Sequence, residues 1–110
     1  MAVDEEFAVR VREVISLRDG WTERRMFGGI GFMITGNMAC GVTSTSELMV
    51  RVDPADFDAA LNEPDVRQFE MSDKKMSGWL IVAREGVETD EDLAGWIDAG
   101  ADYASSLPAK

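Results

Sequence analysis

The sequence contains no histidine. That removes Ser-His and Cys-His nucleophile pairs and histidine-ligated metals from the chemistry open to this chain. It contains one cysteine, Cys40, so no disulfide can form within the chain and a cysteine-rich zinc site is excluded. No apolar run approaches the roughly 18 residues that a membrane-spanning helix needs. The start, "MAVDEEFAVR", is acidic from Asp4 and Glu5 onward, which is wrong for a signal peptide. Positive charge is scarce too: 11 basic residues face 21 acidic ones, for a formal net charge of -10. A field of that sign repels phosphate backbones and anionic lipid. The expectation is a soluble, unprocessed, cytoplasmic protein with no membrane contact and no direct nucleic-acid binding. The basic doublets Arg24-Arg25 and Lys74-Lys75 have no aromatic stacking platform between them, so they read as solvated surface charge.

What is present suits a single folded domain over residues 1–110. Hydrophobic residues make up 45% of the chain, with three Trp, five Phe and seven Met to fill a core. Phe7, Val11, Val14 and Ile15 recur at helical spacing. Asp4 is placed to cap that helix and Gly20 to stop it. "IGFMIT" alternates, with Ile30, Phe32 and Ile34 on one face. Gly36-Asn37 suits a tight turn, and "MACGVT" then places Met38, Cys40 and Val42 together. After a second turn at "STSE", "LMVRVD" turns Leu48, Val50 and Val52 inward and Met49 and Arg51 outward. An extended piece at Glu23 to Phe27 precedes this antiparallel meander.

Asp53 and Pro54 open a second helix with Phe57, Ala60 and Leu61 on its buried side. "VRQFEMS" and "GWLIVA" are strands, the second apolar enough to lie centrally. Thr89 and Asp92 have capping-box spacing ahead of a helix striped by Leu93, Trp96, Ile97, Ala101, Ala104 and Leu107. The order is roughly α-β-β-β-α-β-β-α, an α+β fold of two layers in which helices pack on an antiparallel sheet.

The glycine cluster "GGIGFMITG" fails both phosphate-loop templates. It holds no lysine, its sixth position counted from Gly29 as the first is Ile34, and a hairpin follows it instead of a helix. It reads as a turn or bulge that permits close backbone approach. Cys40, in mid-strand with apolar neighbours, reads as an inert buried thiol. The carboxylates gather at helix starts and on exposed helix faces, and no calcium-loop pattern is present. Methionine is the unusual feature: Met26, Met33, Met38, Met49, Met71 and Met76 all fall in or beside the strands. Methionine-rich surfaces adapt to varied partners.

Several segments together resemble the TfoX N-terminal domain family, also called TfoX/Sxy. They are Met26 to Gly31 ("MFGGIG"), the strand leading to "LMVRVD", Met76 to Trp79 ("MSGW"), and the helix "LAGWIDAGADYA". The resemblance implies an α+β fold similar to secretion chaperones. It also implies a regulatory role, since the family's best-known members are competence regulators. These act as transcription coactivators beside a DNA-binding protein, without a DNA-reading motif of their own. No catalytic residue is established for the family. Full-length competence regulators carry a second, C-terminal domain, and this chain is read as a single-domain member without it.

The resulting expectation is a non-enzymatic regulatory or protein-interaction domain, with no cofactor, no metal and no catalytic residue. Its partner is a protein, and a homodimer is compatible with an open sheet edge. The candidate contact surface is Arg24, Arg25, Met26, Phe27, Gly28, Gly29, Met33 and Met49. The alternative is a small-ligand-binding domain with an apolar pocket between sheet and helices, near Trp21 and Trp79. A third reading is an enzyme that uses Cys40 or a desolvated carboxylate.

Overall fold

Alternation at the sequence level becomes one antiparallel sheet with helices on one of its faces. The computed structural model describes residues 4–26, 28–71 and 74–109, with backbone alone at 71 and 74–77. Its elements are α1 (Glu5–Ile15), β1 (Trp21–Met26), β2 (Gly29–Ile34), β3 (Asn37–Val42), β4 (Leu48–Arg51), α2 (Pro54–Leu61), β5 (Val66–Met71), β6 (Lys74–Val82), a short 3₁₀ turn at Arg84–Val87, and α3 (Asp90–Ser106). The six strands lie in the order β1-β2-β3-β4-β6-β5. The α+β expectation holds, with β1 a full strand of six residues that begins at Trp21.

Each helix forms where capping and apolar spacing coincide. The Asp4 carboxylate accepts from the backbone N–H of Glu6 and Phe7 and starts α1. Phe7, Ala8, Val11 and Ile15 are its buried residues. The helix ends at Ile15 with Ser16 as its cap, earlier than Gly20 suggests; Gly20, at φ +80°, instead turns the chain into β1. The Asp53 side chain accepts from Ala55 N–H ahead of Pro54, and α2 buries Phe57. Thr89 accepts from Asp92 N–H at 3.1 Å and starts α3. The stripe Leu93, Ile97, Ala101 and Ala104 is buried, Trp96 packs partly against the core, and Leu107 falls outside it as the C-cap.

The core fills the layer between helices and sheet. Phe32, Cys40, Val50 and Leu80 stand across four neighbouring strands in one row, and Ile30, Val42, Leu48 and Val82 form the next. Two local details depart from the sequence expectation. The β2–β3 turn is Thr35-Gly36, with φ of 48° and 88°, and not Gly36-Asn37. Asn37 belongs to β3, is 2% exposed, and donates from Nδ2 to the Pro108 carbonyl at 2.8 Å. The second is a β-bulge: Phe32 pairs with Cys40, but Met33 pairs with Met38, so Ala39 is an extra residue. Cys40 and Val42 therefore stay in the core, while Met38 turns to the opposite face. The expected grouping of Met38 with Cys40 and Val42 is corrected by that one inserted residue.

Candidate functional site

The face of the sheet away from the helices is built by the alternate residues of the same strands. On β1, Glu23 pairs with Arg12 of α1 and Arg25 with Glu5 of α1, so these two point to the helix side. Thr22, Arg24 and Met26 point the other way, opposite Met33, Gly31 and Gly29 of β2. Gly31 faces Gly41 across β2 and β3, and Gly41 faces Met49 across β3 and β4. Two bare glycines thus sit side by side on this face, with methionines around them.

The contacts over that glycine pair are close. A Cβ built on Gly31 would lie 3.1 Å from the methyl groups of both Met26 and Met38. One built on Gly41 would lie 3.0 Å from Met38 Cε and 3.4 Å from Met49 Cε, and 2.7 Å from the Ile30 carbonyl oxygen. The methionine tips occupy the space that any larger residue here would claim. Around them opens a pocket of about 230 Å³. Its described lining is Met26, Gly29, Ile30, Gly31, Met38, Val42, Met49, Phe69 and Trp79, with Thr43 and Ser44 as its polar members. A second, more polar hollow adjoins it, where Arg67 and Glu47 form an ion pair beside Phe69 and Ile81. Ile81 is buried on this side, outside the main core.

At the end of β4 the Arg51 guanidinium lies between two rings, 5.3 Å from the centroid of Trp79 and 5.4 Å from that of Tyr103. Trp79 is its cross-strand neighbour and also a pocket wall, while Tyr103 belongs to α3. Arginine against an aromatic face contributes roughly 0.5–1 kcal/mol at an exposed site.

The residues expected as a contact surface therefore divide. Met26, Gly29 and Met49 come together in the pocket. Arg24 is on the same face beside Gly31, and Met33 lies opposite Met38 without lining the pocket. Arg25 leaves the group, because it is on the helix side and bound to Glu5 at 3.1 Å. Gly28 is a turn residue at φ +76°. Phe27 lies outside the described residues, as do the side chains of Lys74, Lys75, Met71 and Met76. Sequence reasoning did not connect Gly41, Met38 and Phe69 to the site, and it placed Trp79 beside a pocket on the other face of the sheet. Pairing register brings them there, and the sole local signal was the matching x-Gly-x pattern in β2 and β3.

The apolar pocket expected between sheet and helices near Trp21 and Trp79 is found elsewhere. Trp21 packs partly buried against the core, whose largest fully buried side chains include Phe7, Phe32 and Ile15. Only the Trp79 half of that expectation meets the observed pocket, which opens on the opposite face.

The titratable groups fall into two kinds. Cys40 is fully enclosed, and burial pushes its thiol up to about 12. Glu23 and Glu47 are held below the ordinary carboxylate range, chiefly by hydrogen bonds from Arg12 and Arg67. Asp4 is lowered by the backbone N–H of Phe7 and by Arg84. The shifts at Glu23 and Asp4 are ion-pair and capping effects at α1, whereas the Glu47–Arg67 pair lies in the polar hollow that adjoins the pocket. Among the described residues no group of three or more His, Cys, Asp or Glu could hold a metal ion. No helix among them is long and apolar enough to cross a membrane.

The family model of the TfoX N-terminal domain matches residues 13–104. That span runs from α1 through most of α3 and includes every described residue of the pocket. No curated protein and no solved structure matches the chain.

Proposed function

Because the chain belongs to the TfoX N-terminal domain family, we propose that it is a non-enzymatic regulatory domain that works by protein contact through the uncovered face of its sheet. One observation carries this reading: Met26, Met38 and Met49 gather over the paired glycines Gly31 and Gly41 on a face against which no helix packs among the described residues. Methionine side chains are unbranched and polarisable, so such a patch can follow the contours of a partner. Arg24 and Arg51 flank it. The acidic residues Asp90, Glu91, Asp92, Asp98 and Asp102 lie on α3, in the other layer. A partner with an apolar, weakly acidic surface suits that distribution of charge.

Co-regulation of transcription, of the kind carried out by the family's competence regulators, is the finer form of the proposal. The chain would contribute protein contacts and leave DNA reading to its partner, in keeping with a net charge of -10. Enclosure of Cys40 supports leaving its thiol out of any chemistry. A thiol reagent at pH 8 should label native protein slowly and urea-unfolded protein rapidly; prompt native labelling would reinstate Cys40 as a nucleophile.

The test of the contact surface is capture from native lysate with three baits. Wild type and a variant with Asp98→Asn on α3 should retain the same partner, and a Met26→Ser/Met49→Ser variant should lose it. Failure to recover a reproducible partner, or equal recovery by all three baits, would overturn the assignment.

A further inference from the structure

We infer that the pocket over Gly31 and Gly41 is a binding site for a small neutral aromatic molecule of one or two rings. This goes beyond the protein-contact reading and does not depend on it. The first argument is the floor. Glycine inside a strand gives up side-chain packing and backbone entropy, and here two such glycines are cross-strand partners on the same face. Their joint effect is a depression with bare backbone at its base and methionine methyl groups directly above it.

The second argument is size. The pocket has a volume of about 230 Å³. A cavity of about 150 Å³ lined by apolar groups takes up benzene and stays free of water. The present pocket is larger by roughly one further ring. The pocket is open to solvent on one side, but water against its wall finds few partners, since the described lining offers only Thr43 and Ser44. The Thr43 hydroxyl is already engaged, 3.0 Å from the Thr45 hydroxyl and 3.1 Å from the Glu47 N–H that it accepts.

The third argument is chemistry. No charged residue is among the described lining. An ionised ligand would lose its hydration there without compensation, so the occupant is neutral. Trp79 and Phe69 present rings, which favour offset or edge-on contact with another ring. The thioethers of Met26, Met38 and Met49 favour aromatic edges, and their three rotatable bonds let the tips move apart as a planar ligand enters. Arg51 stacks on Trp79, 5.3 Å from its ring centroid, and supports that wall.

The full chain, with its seven methionines labelled at the methyl carbon, provides the test. It would be titrated with 2-naphthol and with indole, and the methyl resonances followed by NMR. Saturable shifts confined mainly to Met26, Met38 and Met49 are expected, with Met33 moving less. Naphthalene-2-sulfonate, the anionic counterpart, should bind more weakly. Gly31→Ala should lower affinity for 2-naphthol on the order of tenfold, because its Cβ meets the flexible ends of Met26 and Met38 and occupies the floor. Met49→Phe should fill the pocket from the side and act in the same direction. Thermal melting of both variants checks that the fold survives.

Four results would each overturn the inference: no saturable shift up to the solubility of the probes, shifts spread over all methionines, tighter binding of the sulfonate, or undiminished binding by both folded variants. Methyl shifts that depend on protein concentration without any probe would assign the pocket to a second copy of the chain and overturn it as well.

Discussion

Gly31 and Gly41 are neighbours with the same outlook and different tolerances. Beyond Gly31 lie only the ends of flexible methionine side chains, which can yield. Beyond Gly41 lies the Ile30 carbonyl oxygen at 2.7 Å, closer than real Cβ atoms come to backbone. Gly41→Ala should therefore destabilise the protein by roughly 1–3 kcal/mol, the usual cost of overpacking. Gly31→Ala should change stability by less than about 1 kcal/mol, since alanine regains some of glycine's entropic cost in the strand. Urea denaturation of the two variants side by side decides the matter; equal effects would mean that the backbone approach at Gly41 is unimportant. Glu47 offers a separate residue-scale test. The Arg67 guanidinium keeps its carboxylate below the ordinary value of 4.5. A lowered folded value means that the pair contributes stability above the unfolded value and loses it as the pH falls through the folded one. Glu47→Gln should thus narrow the difference in urea midpoint between pH 6 and pH 3. A variant with the wild-type pH profile would show that the pair, half open to solvent, contributes nothing measurable.

At the scale of elements, α3 is the piece most closely fitted to the sheet. A Cβ on Gly100 would come within 2.4 Å of the Ala39 carbonyl oxygen, so the helix crosses β3 at closest approach on the bulge itself. Two effects compete in Gly100→Ala. Alanine gains about 1 kcal/mol of helix propensity. The clash with backbone costs more, because α3 must lift away from Leu93, Ile97 and Ala101 contacts to relieve it. The net expectation is a loss of about 1–3 kcal/mol, visible as a lower thermal midpoint; a gain would show that α3 shifts freely. The contrast between elements also explains what could be read in advance. In β2 and β4 one face is apolar and buried and the other is mixed, so alternation identified the inward residues correctly. In β3 Met38, Ala39 and Cys40 are all apolar, and a period of two carries no warning of an extra residue. The helices were legible from their caps, except that α1 stops at Ser16 without a glycine signal. The pocket was legible in Met26, Gly29 and Met49, and in Trp79 only as the neighbour of a pocket expected on the other face. Its Phe69 and Trp79 walls come from a hairpin that joins the meander through the β4–β6 pairing, which no local pattern specifies.

For the molecule as a whole, charge and topology set the balance. Seven ion pairs among the described residues link separate elements and turns, as in Arg18 with Asp98 and Asp102. Several are well exposed, and pairs of that kind contribute about 0–1 kcal/mol each. Against them stands a net charge of -10 confined within principal extents of 32 × 30 × 30 Å. Self-repulsion at that density outweighs the exposed pairs, and salt screens it at separations beyond roughly 8–10 Å. The thermal midpoint should rise between 10 mM and 500 mM sodium chloride. A fall would mean that the ion pairs dominate. At its edges the sheet ends in β1 and β5, and the outer strand β1 carries Glu23, Arg24 and Arg25, charges that discourage unplanned pairing with other chains.

The bulge at Ala39 changes what kind of mutation this protein should fear. Alanine there is fully buried but small, so Ala39→Gly would remove only a methyl group's worth of packing. Removing the residue is another matter. The strand would straighten, the local twist would relax, and the oxygen that seats Gly100 would move. Met38 would keep its outlook, because the two residues that face each other beyond the bulge, Met33 and Met38, would remain paired. Residue count, more than residue identity, sets the curvature at this point, and a length change of one should be more damaging here than most substitutions around it.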